Sequence, residues 1–161
     1  MREILPNQLW IGNAGDGRDP ERLLQNGIAA VINLAAEEPP PVLPRSTVYC
    51  HFPIMDGVQD DQSILRVATE TVVSLLKNQV PILVYCGAGM SRSPAIVAAA
   101  LSIVHGGSPD DKLKEIVAGH PHDVSPQLWE AVQDACCFVC RSEVYKAVVV
   151  HQDVPTGEND Q

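Results

Sequence analysis

A single thiol and a single guanidinium stand six positions apart in "VYCGAGMSRSPAIVAAAL", residues 84–101. Cys86 closes an apolar run, and Arg92 follows a loop of Gly87, Ala88, Gly89, Met90 and Ser91. Ser93-Pro94 then opens an alanine-rich helical pattern. A loop between a buried strand and a helix start suits an anion, because the first helical turn leaves N–H groups unpaired and carries positive dipole charge. Gly87 and Gly89 give the backbone freedom to converge its amides on one point. Such a nest takes a tetrahedral oxyanion such as phosphate. The fork of Arg92 can hold two of its oxygens. Cys86 would lie beneath them, where the same dipoles favour thiolate over thiol and so a nucleophile aimed at phosphorus. The alternative is a tight strand-to-helix turn with a structural cysteine.

The elements that must position this loop are legible as short runs. Leu9–Asn13, Ala29–Ala35, Val48–Ile54 and Pro81–Cys86 read as strands, the last apolar throughout like a strand buried on both faces. Asp19-Pro20, Ser93-Pro94, Ser108-Pro109 and Ser125-Pro126 each pair an N-cap side chain with a proline at the first helical position. Gly27, Gly106 and Gly119 stand where the first three of those helices should stop. A further helix is expected over residues 63–77, with Ile64, Leu65, Ala68, Val72, Leu75 and Leu76 as its apolar stripe. Strands alternating with helices imply an α/β fold: one domain with a central, mostly parallel sheet of four to five strands flanked by helices. Residues 37–46, "EEPPPVLPRS", read as a surface loop. The domain is expected over residues 1–146, and 147–161 as a C-terminal tail, partly disordered.

Composition narrows the partners. The formal net charge is -9, from 20 acidic and 11 basic residues, which gives no general attraction to nucleic acid or anionic membranes. The N-terminal residues lack a signal-peptide pattern, and the longest apolar run is too short to span a bilayer. Five cysteines without framework spacing suggest a reducing compartment, and a cytoplasmic monomer is expected.

At these residues the chain resembles the cysteine-based protein-tyrosine phosphatases, specifically the compact, atypical dual-specificity group. Their signature is His-Cys-x5-Arg-Ser/Thr, which "YCGAGMSRS" follows from Cys86 to Ser93. The likeness extends over most of the chain, through residues 9–37, 48–61 and 124–133. It implies a phosphocysteine intermediate on Cys86, with Arg92 and the amides of residues 87–91 holding phosphate, and no metal or cofactor. It places the general acid at Asp56, in "PIMDG", with Asp60 and Asp61 as rivals. Ser93 would donate to the departing sulfur or act as an N-cap. The sequence departs from the pattern at Tyr85, where the family has histidine. The implied substrate is a phosphorylated protein or peptide, carrying phosphotyrosine and possibly phosphoserine or phosphothreonine. The competing readings are a phosphate-recognising pseudophosphatase module, a phosphoinositide, glucan or RNA 5′-phosphate phosphatase, and a sulfurtransferase.

Other cysteines invite less. Cys137-x-x-Cys140 beside Cys136 lacks a second close pair for zinc, and all three are expected on a buried helix face. Cys50 could trap Cys86 as a disulfide, but packing within its strand is the simpler expectation. His120 and His122 are expected at the surface, and Asp110 and Asp111 at a positive helix start.

Overall fold

The computed structural model describes residues 1–57 and 62–152, with residues 143–152 described as backbone alone. Five strands form one sheet: β1 (Arg2–Leu5), β2 (Leu9–Gly12), β3 (Ala30–Ala35), β4 (Val48–Ile54) and β5 (Ile82–Tyr85). Their order is β1-β2-β5-β3-β4, with β2, β5, β3 and β4 parallel and β1 antiparallel at one edge. The parallel sheet thus agrees with the reading from sequence, whereas β1, short and polar at its start, gave no signal. β5 lies central, flanked by β2 and β3, so its carboxyl end opens onto the crevice where open α/β sheets bind ligands.

The helices cover both faces. α1 (Ala14–Gly17) and α2 (Pro20–Gln25) pack one face with Trp10, Leu23, Val31, Leu83 and Tyr85. α3 (Gln62–Lys77), α4 (Arg92–His105), α5 (Pro109–Val117) and α6 (Pro126–Gln152) build the larger core on the other. Along α4 every residue from Arg92 to Ser102 is buried, so this helix is enclosed rather than amphipathic. Its alanines 95, 98, 99 and 100 let neighbouring elements approach closely. On α3 the stripe is centred on Leu65, Ala68, Thr69, Val72, Val73 and Leu76, with Ile64 and Leu75 at its margins. Thr69 tolerates burial because its hydroxyl donates to Leu65 O at 2.8 Å.

The caps at Asp19 and Ser108 form as expected, and Ser125 Oγ accepts from Leu128 N–H at 3.2 Å. The backbone of α6 continues past Lys146 to Gln152, and the rest of the expected tail, 153–161, lies outside the described residues. Among the described residues no helix is long and apolar enough to cross a membrane.

Candidate active site

The loop from Cys86 to Ser91 is held by its carbonyls. Gly87 O accepts from Ala14 N–H at 3.1 Å, and Met90 O from Asp123 N–H at 2.9 Å. In a trans peptide the next N–H points opposite to the carbonyl. The amides of Ala88 and Ser91 are therefore turned away from those two neighbours. Gly89 has φ +75°, and a Cβ there would lie 2.6 Å from Gly12 O. Gly89→Ala thus meets both a left-handed backbone and an immovable main-chain oxygen. It should destabilise the fold by about 1–3 kcal/mol, read as a lowered urea midpoint, and misplace the amides.

Arg92 is the first residue of α4 and only 2% exposed. Its Nη1 donates to Glu37 Oε2 at 2.7 Å and to Ile54 O at 2.9 Å, and its Nη2 to Glu37 Oε1 at 2.5 Å. Nε has no partner among the described residues. Burial works against the guanidinium's charge, but the hydrogen bonds to Glu37 and the charges of Cys86, Glu37 and Asp56 outweigh it and raise its pKa. Reciprocally, the Arg92 hydrogen bonds hold Glu37 at about 2 against an ordinary 4.5. This depression stabilises the fold fully above pH 4.5, and the contribution is lost as pH falls toward 2. Glu37 drew no attention in the sequence. The available signal was its place just beyond the carboxyl end of β3, beside the strand that delivers Cys86.

Cys86 sits at the end of β5, 1% exposed, within the charge field of Arg92. Ser93 is fully buried, and its Oγ has no partner among the described residues. The expected N-cap at Ser93 is corrected: the cap position is Ser91, and Ser93 and Pro94 lie inside the first turn. A proline is tolerated there because first-turn N–H groups have no intrahelical acceptor. Ser91 does not cap the helix with its side chain either, since its Oγ donates to Asp56 Oδ1 at 2.7 Å. It is therefore more than a small loop residue. Asp56 Oδ2 lies 3.8 Å from Arg92 Nη2, and the carboxyl group is 56% exposed. The structure thus brings Cys86, Arg92, Ser91, Ser93 and Asp56 together. Asp60 and Asp61 lie outside the described residues.

Tyr85 turns the other way, as the residue before Cys86 in a strand must. It packs on the α1–α2 face, where a Cβ on Gly17 would meet its ring at 2.5 Å. Burial raises its phenol pKa, the neighbouring Tyr49 adds to the rise, and the hydroxyl has no hydrogen-bond partner among the described residues. Tyr85→Phe should therefore keep kcat/KM within about threefold and leave the urea midpoint equal or higher, because it removes an orphaned polar atom.

Cys50 is ruled out as a disulfide partner by register. It pairs with Ile32, which pairs with Val84. Two strand spacings sideways and two residues along put the Cys50 and Cys86 Cα atoms about 12 Å apart, beyond the limit of about 7 Å for a bridge. Of the three cysteines on α6, Cys136 is buried against Ser102 and Cys137 and Cys140 are exposed, which corrects the expectation for those two. Asp110 accepts from Trp129 Nε1 at 2.8 Å and Gln133 Nε2 at 3.1 Å, tying α5 to α6. A cavity of about 320 Å³ lies between β1 and the ends of α4 and α5, and its lining contains no cysteine, serine or threonine.

Comparison with known proteins identifies the family. Residues 9–105, well over half of the chain, match the family model described as "Dual specificity phosphatase, catalytic domain". The chain belongs to this family. It is 32% identical over 122 residues to dual specificity protein phosphatase 15 of Mus musculus, covering 75% of this chain and 51% of that protein. It is 27% identical over 157 residues to the protein-tyrosine-phosphatase IBR5 of Arabidopsis thaliana, covering 96% and 58% respectively. The phosphatase-family domain thus spans little more than half the length of these relatives. Among solved structures, DUSP15 superposes with TM-score 0.76 at 24% identity, over 91% of this chain and 96% of that one. A mouse protein solved with zinc tungstate gives TM-score 0.74 at 25% identity, over 87% and 88%.

Proposed function

We propose that this domain is a metal-independent phosphomonoester hydrolase acting on phosphorylated protein, on phosphotyrosine and also on phosphoserine or phosphothreonine. The supporting observation is the pair of orphaned buried donors, Arg92 Nε and Ser93 Oγ, at the loop that carries Cys86. Buried polar groups are almost always satisfied, so these two point to a bound acceptor. A mouse relative of the same fold was solved with tungstate, a tetrahedral oxyanion like phosphate.

In the first step the Cys86 thiolate attacks phosphorus in line. The S–P bond forms as the P–O bond to the substrate breaks, and Asp56 gives its proton to the departing oxygen. Arg92 and the amides of residues 87–91 hold the equatorial oxygens as charge develops on them. In the second step Asp56 takes a proton from water, whose oxygen bonds phosphorus while the S–P bond breaks. Ser93 donates to the leaving sulfur. The sum is ester plus water giving alcohol or phenol plus phosphate. The test is rapid quench with a ³²P-labelled phosphotyrosyl peptide in the presence of chelator. Label should appear on Cys86 in the first turnover, and its absence during steady turnover overturns the mechanism.

A pseudophosphatase module is the second reading, favoured by Tyr85 in place of the signature histidine. It predicts phosphopeptide binding with no burst of product. The remaining proposals concern setting: domain limits at 1–146, a monomer without nucleic-acid or membrane partners, and a cytoplasmic location. The five free cysteines and the net charge of -9 support the last two.

A further inference from the structure

The cavity of about 320 Å³ beside β1 combines an apolar floor with a cation that has no carboxylate partner. Leu101 and Ile116, both buried, form the floor, with Ile4 and Leu5 of β1 next to them. Arg2 lines the same cavity, partly buried, and its Nη1 donates to Ile116 O near the carboxyl end of α5. That bond uses one N–H of five, and a helix end supplies only about half a negative charge. Among the described residues no carboxylate forms an ion pair with Arg2. Burial accordingly lowers its pKa with nothing to oppose the shift. The two acids of the lining are engaged elsewhere. Glu3 accepts from Asn7 N–H, and Glu115 pairs with Lys112 at 3.1 Å. A partly buried charge left without a partner costs free energy that a bound anion would offset.

We propose that this cavity is a second ligand site, for a small organic carboxylate: its anionic group meets the free N–H edge of Arg2 and its apolar body lies over Leu101 and Ile116. The planar fork of an arginine suits a carboxylate held by two parallel N–H···O bonds. One uncompensated positive charge also matches one negative charge better than the two of a phosphate monoester. Volume sets the size, since about 320 Å³ lies at the low end of the roughly 300–1,000 Å³ of ligand pockets. A body of one or two rings fits there. The site stands apart from the phosphatase reading, because neither Cys86 nor Arg92 lines it. Its charged end still adjoins the loop after Cys86. Arg2 and His120 also line a second hollow of about 240 Å³, whose lining includes Ala88, Gly89 and Met90.

The experiment titrates naphthoate into the ¹⁵N-labelled chain and follows the amide signals, with neutral naphthylmethanol as the uncharged match. Naphthoate should shift the amides of Arg2, Ile4, Leu101 and Ile116 saturably, and naphthylmethanol should bind about tenfold more weakly. Arg2→Gln should weaken naphthoate about tenfold, and Arg2→Lys, which keeps the charge without the fork, should fall between. Lys114→Gln changes an exposed α5 lysine outside the cavity and should match wild type.

The amide spectrum of each variant reports its fold. If Arg2→Gln does not fold, the ratio of the two probes' affinities in wild type decides. Equal affinity for the two probes overturns the proposal, as does an unchanged Kd in folded Arg2→Gln or shifts confined to residues 86–92. Absence of saturable shifts at the four cavity residues up to about 10 mM naphthoate overturns it as well. A chain that hydrolyses no phosphate ester would sink the hydrolase reading and leave each of these outcomes readable.

Discussion

Cys86→Ser should lower kcat by more than about 10⁴-fold while leaving tungstate and phosphopeptide affinity within a few-fold of wild type. The exchange swaps one small atom for another at a position that is 1% exposed, so neither the loop nor the donors around it need to move. Chemistry changes completely. Asp56, the candidate base among the described residues, accepts from Ser91 Oγ at 2.7 Å and is assigned to the leaving group in the proposed mechanism. An un-ionised hydroxyl is a poor nucleophile toward a phosphate dianion, and orientation by Arg92 cannot replace the missing charge. The measurement is stopped-flow release of an aryl product, paired with calorimetric binding. Full turnover by the serine variant would remove the covalent mechanism. A serine variant that loses both binding and fold would show instead that the thiol is a packing residue.

Asp56→Asn should slow the first chemical step in proportion to how poorly the leaving oxygen carries charge. For a phosphoserine peptide the expected loss in kcat is about 10²–10³-fold, and for an activated nitrophenyl phosphate it is less than about tenfold. An amide can still accept from Ser91 Oγ, so the loop stays in place and the lost function is proton delivery alone. The check is a series of aryl and alkyl phosphates with graded leaving groups. A uniform loss across the series would mean that Asp56 only supports the loop. No loss at all would transfer the acid role to Asp60 or Asp61.

Much of this was readable from residue order because the loop is local. Cys86, the glycines and Arg92 fall within one strand-loop-helix unit, and the register of that unit follows from the apolar strand before it and the alanine-rich helix after it. The sheet was equally plain in Ala30–Ala35 and Ile82–Tyr85, whose residues are buried without alternation. What escaped was carried by tertiary contact. Glu37 reaches Arg92 across 55 positions and Ser91 reaches Asp56 across 35, and no periodicity marks either pair. Ser93 misled because serine before proline fits an N-cap, yet a proline is nearly as comfortable two positions deeper in the same turn. Cys137 and Cys140 misled because apolar composition says that a helix packs, but only its phase says which side.

The strand register that keeps Cys50 from Cys86 also decides how this protein would meet peroxide. A thiol oxidised to sulfenate is rescued when a second thiol condenses with it, and β4 holds its cysteine two strands away. Cys136 offers no substitute, since it rests on Ala99 and Ser102, roughly 10 Å or more along α4 from the loop. Neither Cys50 nor Cys136 is placed to resolve an oxidised Cys86, so its recovery would fall to a small thiol from solution or to condensation with a neighbouring backbone nitrogen.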